Sequence, residues 1–201
     1  MAATKEDICN LALSFIGSKA VMADITATNK TESVLCNAIY EDTKKSMLRA
    51  AHWNFASQTV ALVANVEVPL RWTYNYDLPA GYLKGRFIVV EMPNPRLVNP
   101  PWEVALDQAG TAKLFFTDVE GAVLSYTMDV TDVALFDENF VEAFAMTLAT
   151  RIAFPLRGTA VTSERVNELA ILALHVANGV NQNEQGRDDT FVDAETTRSR
   201  G

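Results

Sequence analysis

Apolar residues recur at helical spacing toward both ends of the chain and alternate in its middle. From Phe140 they fall at Phe140, Ala143, Phe144, Leu148 and Ile152, steps of three and four that line one helical face. Asp137, Glu138 and Glu142 load the first turns with negative charge, which suits the positive end of the helix dipole. Pro155, without an amide proton, and Gly158, which tolerates turn geometry, are expected to stop this helix. Thr162 or Ser163 then caps a second helix, with Val166, Leu169, Ala170, Ala173, Val176, Ala177 and Val180 on one stripe. Stripes this wide on a helical hairpin need a cover.

The other end of the chain supplies candidates. Thr4, followed three residues later by Asp7, resembles a capping box. Its helix carries Ile8, Leu11, Ala12, Phe15 and Ile16, and Gly17 ends it in a left-handed conformation. Asn29 and Glu32 form a second box-like start. The helix from Lys30 to about Ala51 puts Leu35, Ala38 and Ile39 on one side and leaves Glu41, Asp42, Lys44 and Lys45 largely solvated. Complementary stripes at both ends predict one helical bundle built from both.

Between them the period changes. Ala56 to Val68 is rich in Val and Ala, and Trp72, Tyr74 and Tyr76 then alternate as in a half-buried strand. Arg86 to Met92 predicts a second strand. Pro93, Pro95, Pro100 and Pro101 punctuate a loop in which no ladder amide is needed. Trp102 to Leu106, Lys113 to Thr117 and Val123 to Met128 predict three more strands, with Gln108-Ala109-Gly110 and Glu120-Gly121 as turns. The fold class is therefore α+β: a helical bundle of N-terminal and C-terminal helices with an inserted antiparallel β module. The expected divisions are residues 1–55 and 135–181 for the bundle, 56–134 for the β module, and 182–201 for a polar C-terminal arm. That arm has only Phe191 and Val192 as a central apolar pair, too little to fold alone. It is either a frayed tail or an arm that orders against a partner.

Composition narrows the function classes. At 201 residues, 49% hydrophobic and 21% charged, the chain can bury a sizeable core, as one domain or one domain with an inserted or appended module. A net charge of −8 argues against tight general binding to nucleic acid, though an acidic wall would let DNA slide past it. Met1 to Asp7 has no apolar signal core, and no run approaches a membrane span. Cys9 and Cys36 are too few for a disulfide framework and read as small buried hydrophobes in a reducing cytoplasm.

No phosphate-binding glycine loop, nucleophile elbow or HExxH motif is present. A zinc site from His52, His175, Cys9 and Cys36 would lack ligand spacing. His52 is better explained by packing beside Trp53, and His175 by the C-terminal helix dipole. Asp118 with Glu120, or Asp129 with Asp132, could serve as a hydrolase pair. Each lies at a predicted strand end or turn, where acids are common for local hydrogen bonding. Trp72, Tyr74, Tyr76 and Tyr82 could form a stacking platform, but without basic company they read better as core or subunit-interface aromatics. The expectation is no enzyme, no cofactor and no metal.

Four landmarks in order resemble one family. Asp7 to Gly17, reading DICNLALSFIG, resembles the opening helix of the tail tubular protein A, or head-to-tail adaptor, family of short-tailed (podovirus-type) bacteriophages. Cys36-Asn37-Ala38-Ile39-Tyr40 followed by Leu48 to Ala56, with its Trp53-Asn54-Phe55-Ala56 step, is similar to the family's second helix and exit. Tyr74-Asn75-Tyr76-Asp77-Leu78-Pro79-Ala80 resembles its aromatic strand closed by Leu-Pro, and Phe140 to Leu156 its C-terminal helix and proline break. The landmarks span residues 7 to 156; the arm and the Pro93 to Pro101 region match no family motif. The resemblance implies a structural virion protein, made in the host bacterial cytoplasm and located in the phage neck. It forms a homo-oligomeric ring, dodecameric in the family, between the portal protein and the tail nozzle protein. Double-stranded DNA passes through the lumen during packaging and ejection, with no membrane insertion. In related adaptors a C-terminal extension engages the portal, which makes Arg187, Phe191 and Val192 the portal-binding candidates. The competing readings are a neck connector of a long-tailed phage and a virion-associated glycan hydrolase using Asp118 and Glu120.

Overall fold

A computed structural model of the chain describes residues 4–19, 21–66, 71–89, 100–157 and 160–183. Thr4 opens helix α1 (Lys5–Phe15) through a reciprocal box: the Asp7 amide donates to Thr4 Oγ1 at 3.1 Å and the Thr4 amide to Asp7 Oδ2 at 3.0 Å. Gly17 follows the helix with φ of 70°, where a side chain would be strained. Helix α2 (Thr31–Ala50) starts from Lys30 with no side-chain cap, so the Asn29 and Glu32 box does not form. The N-cap falls one residue past Asn29, which takes its side chain out of register with the free amides.

Leu35 and Ile39 pack half-buried against the core as expected, but the fully buried line of α2 differs. It runs Ser33, Cys36, Tyr40, Thr43, Lys44, Met47 and Leu48, while Ala38 is exposed. Tyr40 sets this phase, because its ring meets Phe144 of helix α3 (Glu138–Arg157) edge-on with centroids 5.0 Å apart. Lys44, expected in solvent, is carried inward one turn later.

α3 is the helix against which α1, α2 and α4 (Ala160–Asn183) all pack. Its predicted stripe of Phe140, Ala143, Phe144, Leu148 and Ile152 is buried in full. Pro155 does not stop it; the helix continues to Arg157. Proline here removes only a bond to the residue four back, and both Arg151 and Pro155 face solvent, so water can serve the freed carbonyl. Gly158 lies outside the described residues. α4 begins at Ala160, which puts Thr162 and Ser163 in its first turn rather than at its cap.

Among the described residues the middle of the chain forms six strands: β1 (Ser57–Ala61), β2 (Tyr74–Asp77), β3 (Tyr82–Val89), β4 (Trp102–Leu106), β5 (Lys113–Thr117) and β6 (Val123–Met128). Two antiparallel sheets result, ordered β1-β6-β3 and β2-β5-β4. β4, β5 and β6 keep their predicted bounds; the turns between them use Gly110 (φ 72°) and Gly121 (φ 61°). β3 starts earlier than Arg86, and its register slips around Gly85. Trp72 precedes β2 rather than joining it. The sheets close over their own core of Tyr76, Phe115, Leu124 and Tyr126, so the fold is α+β.

Candidate interaction surfaces

The Trp53-Asn54-Phe55 step is where the helices and sheets meet. Trp53 is 1% exposed, donates from Nε1 to the Met47 carbonyl at 2.9 Å, and crosses Phe140 edge-on at 5.0 Å. Asn181, near the end of α4, reaches this step: its Oδ1 accepts the Asn54 amide at 2.7 Å and its Nδ2 donates to the His52 carbonyl at 2.7 Å. Asn54 Nδ2 returns a bond to the Asn181 carbonyl at 2.8 Å. Arg86 of β3 donates to the Trp53 carbonyl from the other side. One short segment thus holds α2, α4 and β3 in a fixed relation.

A second junction lies beside it. Lys44 Nζ sits 2.7 Å from Glu41 Oε2 and 2.9 Å from Asp129 Oδ1, just past β6, and Lys45 is 3.8 Å from the same carboxylate. Burial alone would pull the Lys44 pKa down; Glu41 and Asp129 outweigh it and hold it raised, so the ammonium stays charged.

Three of the four candidate acids make local contacts. Asp118 Oδ1 accepts the Thr73 amide at 2.9 Å and its hydroxyl at 2.8 Å, and Asp132 accepts the Ala134 amide at 3.0 Å. Asp129 is ion-paired with Lys44. These contacts tie down the Thr73 and Asp132 loops and the end of β6. Cys9 and Cys36 are buried and hydrogen-bonded to each other across α1 and α2. His175 is exposed on α4, and His52 is held below the usual histidine range by burial and then by Arg86 and Lys84. Among the described residues no group of three or more His, Cys, Asp or Glu could hold a metal, and no helix is long and apolar enough to cross a membrane.

The aromatic candidates are mostly structural. Tyr76 is buried and donates its hydroxyl to the Val119 carbonyl at 2.8 Å. Tyr82 stacks on Tyr126, with centroids 5.8 Å apart. Trp72, nearer the surface, donates to Glu103 at 3.2 Å.

Two surfaces stand out among the described residues. Only part of the α4 stripe is covered: Val166, Ala170 and Ala177 are buried, whereas Leu169, Leu172 and Val176 stay 44%, 62% and 54% exposed. With Asn139, Glu142 and Met146 of α3 they line a shallow groove of about 200 Å³. The second is a cleft of about 850 Å³ between α2 and strands β3 and β4, lined by Lys45, Arg49, Lys84 and Lys113 against a single carboxylate, Asp129. Sequence reasoning missed this cleft because its cations come from α2, from β3 and from the first residue of β5, with no common spacing. Arg187, Phe191 and Val192 lie outside the described residues.

No known protein family matches the chain, and no curated protein matches it.

Proposed function

We propose that this chain is a structural head-to-tail adaptor of a short-tailed phage, a virion protein whose copies form a ring between the portal and the tail nozzle. The observation that carries the reading is the uncovered apolar face of α4. Among the described residues Leu169, Leu172, Val176 and Val180 form a continuous exposed aliphatic stripe on one side of the helix. A neighbouring copy in a ring would cover it. The ordered landmarks from Asp7 to Leu156 supply the family, and the junction at Trp53, Asn54 and Asn181 supplies the stiffness that a ring subunit under DNA pressure needs.

The net charge of −8 fits passage of a duplex through the lumen, since repulsive walls do not trap it. Arg187, Phe191 and Val192 are assigned to the portal contact. Removing residues 184–201 tests this assignment: attachment to portal rings is lost while the far-UV and near-UV circular dichroism of the truncated chain stay unchanged. Undiminished attachment would overturn it.

A further inference from the structure

We propose that the basic cleft beside β4 binds an extended acidic segment of a partner protein, added as a strand to the free edge of β4. Among the described residues β3 pairs only with β6 and β4 only with β5, so both strands turn an edge toward the cleft. The two edges are not equivalent. On β3 the Leu83 carbonyl is already taken by the Arg49 guanidinium, and Lys84 is drawn back to the Arg49 carbonyl at 3.2 Å. Among the described residues nothing pairs with the outer edge of β4. The Asp107 amide donates to the Ala112 carbonyl at 2.8 Å, which closes the β4–β5 hairpin with a hydrogen-bonded pair. By the two-residue alternation of an antiparallel ladder, Ala105 and Glu103 also bond to β5, and the amides and carbonyls of Val104 and Leu106 point outward.

Charge and shape select the occupant. Lys45, Arg49, Lys84 and Lys113 line this one cleft in a chain with 17 basic and 25 acidic residues, and Asp129 is neutralised by Lys44. The apolar side of the cleft is fixed too: Trp102 lies over Gly85 so closely that a β-carbon there would stand 2.8 Å from its ring, and Leu106 is 58% exposed. A strand with alternating acidic and apolar side chains satisfies all three demands at once, because it offers backbone donors and acceptors to Val104 and Leu106, carboxylates to the lysines, and aliphatic groups to Trp102 and Leu106. A DNA backbone offers acceptors only, and leaves the outward carbonyls of β4 without a donor.

The test uses the full-length chain and a labelled peptide of about ten residues alternating Asp and Val. Saturable binding in the micromolar range is expected. The pair Lys84→Glu and Lys113→Glu should weaken it by at least about tenfold. Methylating alternate peptide amides should weaken it comparably, and exchange of the Val104 and Leu106 amides should slow when the unmodified peptide binds. Equal affinity for the methylated peptide would overturn strand addition. A DNA duplex of about twenty base pairs that outcompetes the peptide, with the same dependence on Lys84 and Lys113, would overturn the peptide assignment. Joint substitution of Asp188→Asn, Asp189→Asn, Asp193→Asn and Glu195→Gln should leave peptide affinity unchanged. A large gain would overturn the assignment to a partner, because the chain's own acidic segment would then be the occupant.

Discussion

Lys44 Nζ lies 2.9 Å from Asp129 Oδ1, with the lysine side chain only 2% exposed. The pair joins α2 to the residue just after β6, whose amide in turn donates to the Gly81 carbonyl at 2.8 Å, immediately before β3. A charge at this depth is tolerated because Glu41 and Asp129 both face it. The same contact therefore fixes how the helices sit on the sheets.

Removing one member of that pair should cost much more than removing both. Lys44→Met leaves the Asp129 carboxylate with Lys45 alone, at 3.8 Å, and should lower unfolding free energy by about 3 kcal/mol. Adding Asp129→Asn to Lys44→Met should recover most of that loss. Urea melts of the two variants and the parent check this; a single variant as stable as the parent would show that the pair contributes nothing.

Acid should weaken the same junction. Burial by itself would raise the Glu41 pKa, but Lys44 and Lys5 outweigh it and hold the carboxyl below its ordinary value of 4.5. A depressed folded pKa adds stability that is present above the unfolded value and lost as pH falls through the folded one. The Glu41 side chain is 47% exposed, so solvent screens the effect and the change is small. Thermal melts should show a steeper fall below about pH 4.5 for the parent than for Glu41→Gln. Asp7, Asp24 and Asp107 are lowered by hydrogen bonds from Thr4, Thr26 and Thr111 and lose stability in the same direction, so the variant still declines.

Asn181→Ala should loosen the end of α4. It removes the acceptor of the Asn54 amide and the donor to the His52 carbonyl, two bonds in a half-buried setting, at about 2 kcal/mol together. Hydrogen exchange should speed up in the last turns of α4 and around Asn54 while the sheet amides keep their protection. Uniform exchange across the chain would mean that the contact is not local.

Leu172→Glu addresses assembly. The side chain is 62% exposed, so the isolated subunit should keep its stability to within about 0.5 kcal/mol. Buried against a neighbour, the carboxylate would be desolvated without a partner, and ring formation should fail. Sedimentation of the variant and parent at equal concentration separates the two; rings from the variant would remove α4 from the interface.

The parts of this fold that were legible in the sequence are those decided locally. The Thr4 box, the Phe140 to Ile152 stripe and strands β4 to β6 rest on spacing and on turn glycines, and each keeps its place. On α2 the half-buried Leu35 and Ile39 are legible as core-facing, but the fully buried line is not, because polar residues lie on it. Thr43 satisfies its hydroxyl at the Ile39 carbonyl, 2.7 Å away, and Lys44 needs Asp129, which is remote in sequence. No helical pattern announces such a pair. Pro155 reads as a stop in the sequence because its exposed setting near the end of the helix, which lowers its cost, is a tertiary fact. The α4 stripe is apolar as read, yet α3 covers only half of it, and the remainder carries the assembly argument. The basic cleft comes together only in the fold.

The central claim is that copies of this chain assemble with a portal. Native mass of the full-length protein, measured alone and with purified portal rings of the same phage, tests it most directly. The account predicts a defined multi-copy complex on the portal, either built from small species at that moment or stacked on it as a ready ring. A monomer whose mass is unchanged by the portal would contradict it.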